Sequence, residues 1–258
     1  RQRQMCIRDS NANASGTNSL ALGTASIASA NQAYAAGAGA QATGNQSMAL
    51  GAGANATNSS AYAAGQGAQA SGSNAMALGT QAIASNDSAY AAGHSANASG
   101  ANATALGTQA KASGSDAYAV GFQANASAGN ALAFGTQANA RGINSFATGA
   151  NALATSTNSM ALGSNASATA VNAFSAGVNS TARATNAMAF GADANASAIG
   201  SIAIGVATQT TALNAVAIGT DADATGIDSV ALGYSAVASA DETFAAGAKA
   251  TASAASAI

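Results

Sequence analysis

The sequence predicts an all-β chain, a parallel β-roll (β-solenoid) that completes one coil every 14 residues. Three observations carry this reading. A glycine recurs at that spacing through seventeen positions without insertion or deletion: Gly23, Gly37, Gly51, Gly65, Gly79, Gly93, Gly107, Gly121, Gly135, Gly149, Gly163, Gly177, Gly191, Gly205, Gly219, Gly233 and Gly247. On both sides of each glycine, small and large residues alternate with the period of two that a strand imposes. Finally, the chain is 48% hydrophobic but only 4% aromatic, with no Trp and no Pro, so its apolar content is mostly methyl groups that fill only a thin interior.

Residues 1–9 stand outside this pattern. Arg1-Gln2-Arg3-Gln4-Met5-Cys6-Ile7-Arg8-Asp9 holds the only Cys and three of the seven cations, and Asp9 sits where the 14-residue count demands glycine. The stretch reads as a non-native scar and is excluded from the fold. Residues 10–258 form a single repeat domain of about 17 coils, with Ala257-Ile258 opening an eighteenth strand that is cut short.

Within each coil the half before the glycine reads small, large, Ala, apolar, Gly. Three places before the glycine stand Leu20, Tyr34, Met48, Tyr62, Met76, Tyr90, Thr104, Tyr118, Leu132, Phe146, Met160, Phe174, Met188, Ile202, Val216, Val230 and Phe244, apolar everywhere except Thr104. One place before it the larger members are Leu22, Leu50, Leu78, Leu106, Phe134, Leu162, Phe190, Ile204, Ile218 and Leu232. Between these two columns Ala fills every unit but one, the exception being Ser175. Large side chains therefore take one face of the strand and alanines the other. In the first eight coils the large slot alternates Leu20, Met48, Met76, Thr104 with Tyr34, Tyr62, Tyr90, Tyr118, while the slot next to the glycine alternates leucines with Ala36, Ala64, Ala92 and Val120. Volume stays level from coil to coil, as a packed interface requires.

After the glycine, Ala returns three and five residues on, as at Ala82 and Ala84, with polar residues such as Gln109, Lys111, Asn139, Asn151, Asp221 and Asp223 around them. This predicts a second strand with an alanine face inward and a polar face to water. One turn follows the glycine, which tolerates positive φ or a close neighbouring backbone. The other turn holds pairs such as Ser71-Gly72 and Asn18, Asn102 and Asn158. Coils ~4.8 Å apart would stack into a rod of roughly 80 Å. The apolar columns on the outer side then form a strip that self-association would cover.

Charge and chemistry narrow the function. Charged residues are 6% of the chain and the net charge is −2, which gives no basic surface for nucleic acid or an anionic membrane. No run of 18 apolar residues predicts a membrane helix. His94, the only histidine, follows Gly93 in a turn with no partner for acid–base work. Asp221 and Asp223 are expected on the same side of one strand, with Asp193 two coils away, but calcium wants ~6–8 oxygens and no dedicated loop exists. Gly37-Ala38-Gly39 and Gly51-Ala52-Gly53 lack the helix that a phosphate loop opens. Arg141 and Arg183 read as solubility residues near a turn. No enzyme activity, cofactor or metal is expected.

Asn18-Ser19-Leu20-Ala21-Leu22-Gly23-Thr24-Ala25-Ser26 resembles the head repeat of YadA-like trimeric autotransporter adhesins, with close variants at Asn214-Ala215-Val216-Ala217-Ile218-Gly219 and Asp228-Ser229-Val230-Ala231-Leu232-Gly233. The resemblance spans residues 10–258 and implies a left-handed parallel β-roll, three chains around one axis with the large residues facing it. It further implies display on the surface of a Gram-negative bacterium, anchored in the outer membrane through a missing C-terminal segment, and attachment to extracellular matrix, cells or surfaces. The family's Ser three places after the glycine persists only at Ser26 and Ser180. An ice-binding or other flat-array solenoid is the alternative, but the outer slots mix Gln, Asn, Ser, Lys and Ile where such an array wants a Thr ladder. A hexapeptide-type acyltransferase would need a period near six and a cleft histidine.

Overall fold

The computed structural model describes residues 11–254. The exclusion of residues 1–9 and the cut strand at Ala257-Ile258 lie outside that range. The described chain is all β, a parallel solenoid of about 17 turns with no helix. Its Cα packing separates two compact units, Arg1–Asn130 and Ala131–Ile258, each built in the same way.

Every coil contributes two short strands. In the first unit the coil around Gly79 supplies Met76–Leu78 and Ile83–Ala84; in the second, the coil around Gly163 supplies Met160–Leu162 and Ser167–Ala168. Each strand pairs in parallel with its counterpart 14 residues away, so Met76 lies beside Tyr90, Ala77 beside Ala91 and Leu78 beside Ala92. Two sheets result, one of three-residue strands carrying the large side chains and one of two-residue strands carrying the polar ones.

The space between the sheets is filled by the alanines. Ala75, Ala77, Ala82 and Ala84 are all fully enclosed, and the same four slots repeat along both units. A methyl group fits this narrow gap and a larger chain would push the sheets apart. Most polar residues that replace Ala bring their own hydrogen bond, although the hydroxyls of Ser26, Ser47 and Ser145 are enclosed without a partner. Ser19, Ser159, Ser201 and Ser229, four places before the glycine, each donate to the carbonyl three residues back, at 2.8, 2.6, 2.7 and 2.6 Å. Thr208 donates to the Gly219 carbonyl at 2.8 Å. Ser175 and Ser180, separate departures in the sequence, meet inside one coil with their hydroxyls 2.7 Å apart, and Ser180 also reaches the Gly177 carbonyl at 2.9 Å.

The turns are as regular as the strands. After Gly79 the Ala82 amide closes on the Gly79 carbonyl (3.2 Å), and on the other edge the Ala75 amide closes on that of Gly72 (3.2 Å). The third residue of each turn has positive φ, +58° at Gln81 and +57° at Asn74, as a type II turn demands. Their amides donate to the preceding coil, Gln81 to Gln66 and Asn74 to Ser59, so turn backbones are bonded coil to coil like the strands. Gln109, Asn151 and Asp221 occupy this positive-φ turn position rather than the strand in which alternation placed them. The strand begins two residues later, at Lys111, Leu153 and Asp223.

Gly79 itself has φ +129°, and a Cβ there would lie 2.6 Å from the Gly93 carbonyl oxygen, whereas Gly53 (φ +65°) has nothing within 4 Å of its Cβ position. Gly79→Ala is therefore expected to cost about 3 kcal/mol or more through strain and overlap together, and Gly53→Ala only ~1–2 kcal/mol from its left-handed backbone. Chemical denaturation of the two variants checks this; equal losses would show that coil-to-coil contact does not set the requirement for glycine.

Candidate interaction surfaces

Because the alanine interior is closed, whatever the protein does it does with outward side chains. Three surfaces are available on each coil: the outer face of the large-residue sheet, the outer face of the polar sheet, and the two turn edges.

On the large-residue sheet the two apolar columns run side by side. None of their members is buried within the chain: Tyr34, Tyr62, Tyr90, Leu78, Phe146 and Ile202 are half-buried, while Met76, Tyr118, Phe190, Leu232 and Phe244 are exposed. Neighbours in the ladder shield one another in part, as where Phe134 meets Phe146 edge to face at 6.0 Å. The sheet thus presents an apolar strip in each unit, interrupted by half-buried threonines at Thr104 in the first and Thr148 in the second.

The polar sheet offers one outward residue per coil, and its chemistry varies along the sheet: Ile83, Asn97 and Lys111 are successive. The turns carry hydrogen-bonded side-chain ladders. In the second unit Asn144, Asn158 and Asn172 donate in series at 3.2, 3.1 and 3.0 Å, the last to Asn186 Oδ1. On the opposite edge Asn151, Asn165 and Asn179 do the same at 3.2, 3.1 and 3.0 Å, the series ending on the Asp193 carboxylate. An amide both donates and accepts, so it can continue a ladder; a carboxylate only accepts and closes it.

The model of the YadA head domain repeat matches this chain in twelve segments that together cover nearly all of residues 10–250. The chain belongs to the YadA head repeat family. Most matched segments, such as 28–54, 56–82 and 84–110, span two coils, the 28-residue unit in which large and small residues alternate. No curated protein matches the chain. The YadA head family comprises adhesin heads of trimeric autotransporters carried on the bacterial surface and is not enzymatic in general.

The remaining chemistry-bearing residues of this YadA head are dispersed. His94 is exposed in the glycine turn, where its carbonyl accepts from the Gln109 amide at 2.9 Å. Arg141 is exposed and donates from Nε to Asn139 Oδ1 at 2.9 Å; Arg183 is exposed at the equivalent position. Asp221 and Asp193 are exposed in turns while Asp223 lies in a strand, so they do not share a strand face. Among the described residues no three His, Cys, Asp or Glu side chains gather as a metal site would require. The tyrosines at 34, 62, 90 and 118 all sit in the apolar strip, not on the polar sheet.

The sequence groups Asp223 with Asp221 and Asp193 and gives no sign that its environment differs from theirs. Asp223 is half-buried between Gln209 and Val237, its Oδ1 is enclosed without a partner, and burial raises its pKa above the ordinary carboxylate value. A raised folded pKa means that the folded state binds the proton more tightly than the unfolded one. The carboxylate therefore costs stability as pH rises through the unfolded and then the folded pKa, and that cost is constant above both. Asp223→Asn should raise the melting temperature at pH 7, and the gain should fade below the ordinary carboxylate pKa. A gain of equal size at pH 7 and pH 3 would mean that ionisation is not the cause.

Proposed function

We propose that residues 10–258 are one adhesin head that works as a homotrimer, is held on the outer membrane through a C-terminal segment, and attaches the cell to extracellular matrix, other cells or surfaces. The observation that carries this reading is the apolar strip. A chain whose interior is already closed by alanines nevertheless places a large apolar residue on the outside of nearly every coil. Burying one such side chain contributes ~1.5–3 kcal/mol, so covering the strip with copies of itself supplies stability that the methyl-lined interior lacks.

The residues assigned to that interface are the apolar members of the two columns defined above, from Leu20 to Phe244. Ligand contact falls to the polar sheet, where weak contacts repeated along three chains gain from multivalency. The mixed sequence of Ile83, Asn97 and Lys111 gives no flat ladder of one side chain, which disfavours an ice-binding array.

Leu78→Asp is expected to set three like charges in a dry layer and to weaken or split the trimer. Gln81→Asp, exposed in the turn of the same coil, should leave assembly intact. Sedimentation and thermal melting distinguish them, and identical behaviour would show that the strip does not face the axis. The wild-type mass should vary little with salt, since the interface is apolar. On immobilised collagen, fibronectin and laminin the trimer should bind at least one more tightly than the Leu78→Asp monomer; equal binding by both would remove multivalency from the mechanism.

A further inference from the structure

We propose that the two turn edges of the second unit are the complementary halves of a single contact between copies of this chain, the glycine turn of one copy lying against the opposite turn of the next at the same coil. The inference rests on the trimer reading above and specifies how neighbouring copies meet at its rim.

Six places before the glycine, at the middle of one turn, Ile143, Val171, Ile199 and Ile227 recur every 28 residues and are all exposed, Ile199 at 55%. One place after the glycine, on the opposite edge, Val178, Val206 and Tyr234 recur with the same period and are exposed at 52%, 49% and 52%. The two columns keep step coil by coil. Val171 shares its coil with Val178, Ile199 with Val206 and Ile227 with Tyr234, while Ile143 shares its coil with Ala150. In the coils between, polar residues face polar or small ones: Thr157 with Ser164, Thr185 with Ala192, Asp241 with Ala248. Leu213, sharing a coil with Thr220, is the one mismatch in that series. In the first unit the turns are polar or small, except that Phe122 shares a coil with Ser115.

Nothing inside one chain requires this matching, because a strand separates the two turns and they lie on opposite edges of the coil. Copying of a 28-residue block would reproduce identities, yet Val, Val and Tyr occupy one column while the other keeps Val and Ile. What is kept in step is apolar character. Cyclic assembly supplies a reason, since its heterologous contact joins one edge of a copy to the other edge of its neighbour. A two-fold arrangement would join like edges and leave the columns independent. An offset of one coil would set Val171 against Ser164 and Val178 against Thr185, an apolar group against a polar one each time. An offset of two coils would keep the match but add an axial rise that a closed ring does not have, which leaves the same level.

Magnitude identifies a second copy as the occupant. A Val or Ile side chain carries ~60–120 Å² of transferable apolar surface; each contact joins one column of a copy to the other column of the next, so these half-exposed residues bring roughly 200–400 Å² to it, at most about a quarter of the ~1,600 Å² that a stable interface buries. They must border a larger contact. The apolar strip begins three residues after one column and ends two residues before the other, so the three surfaces are continuous.

The test uses the full chain carrying Cys6→Ser. In that background Val171→Cys with Val178→Cys should form intermolecular disulfides on oxidation, giving covalent dimers and trimers on a non-reducing gel; the two positions are too far apart across one coil to bridge within a chain. Val171→Cys alone, and Val178→Cys with Thr185→Cys, should give at least tenfold less. A protein that sediments as a trimer but yields no cross-links with the first pair, or cross-links as readily through Val171→Cys alone, overturns the edge contact and leaves the trimer standing. A monomer by sedimentation removes both. As a check independent of disulfide geometry, Val171→Asp should lower the melting temperature of the trimer and Val178→Lys added to it should restore most of the loss; additive losses count against the contact.

Discussion

Contact between successive backbones at the glycine turn governs everything else in this molecule. At Gly163, as at Gly79, the carbonyl of the next coil lies where a side chain would begin, 2.5 Å from an ideal Cβ position. Only glycine permits that approach while holding a φ near +130°. The approach in turn keeps the coils at ladder spacing, so that amides such as Gly79 reach the preceding coil at 2.8 Å. One extra residue in any coil would move the glycine off its stack and reverse the faces of the following strand, which is why the 14-residue count runs unbroken from Gly23 to Gly247.

Close stacking of thin coils has a price inside. With two sheets held a methyl group apart, the interior can take alanine and little beyond serine and threonine, and most of these exceptions satisfy their hydroxyls locally while Ser26, Ser47 and Ser145 leave theirs enclosed without a partner. Ser175 shows the rule: its hydroxyl is acceptable because Ser180 stands opposite in the same coil. Hydrophobic surface that a globular domain would bury at its centre is here displaced to the outside of the large-residue sheet. Thin interior and apolar exterior are thus two results of one spacing.

Period alone made most of the fold legible. The 14-residue glycine count gave the coil, and alternation gave both strands, the alanine interior and the outward strip of Leu20, Tyr34, Met48 and their successors. Alternation misled where it ran on into the turn: Gln109, Asn151 and Asp221 look like strand residues because they stand two positions from strand residues, yet they hold positive φ. Asn and Asp tolerate that conformation and pointed to a turn on the other edge, whereas Gln is a weak signal for it. The environment of Asp223 was not legible at all, since burial of one carboxylate among many depends on how Gln209 and Val237 close around it. Pairing of Ser175 with Ser180 was visible only as two separate departures, for nothing in the local pattern says that residues five apart meet across the interior.

Function follows from the same geometry, because a solenoid whose interior is closed by alanines has its outward columns to work with. A column repeats one environment at ~4.8 Å intervals, and its chemistry is set by which slot of the coil it occupies. The two slots of the large-residue strand are apolar through both units except at Thr104 and Thr148. The middle of the polar sheet varies freely. The turn edges behave in a third way, polar or small in the first unit except at Phe122 and alternately apolar in the second. Free variation marks a surface under no packing constraint, where ligand contacts can be spread thinly and multiplied by copy number. Shared periodicity on two edges that do not touch within a chain marks the opposite, a constraint imposed from outside it. The polar sheet is accordingly the face left to meet other surfaces, and the strip with its two flanking turn columns is the face given over to the chain's own copies.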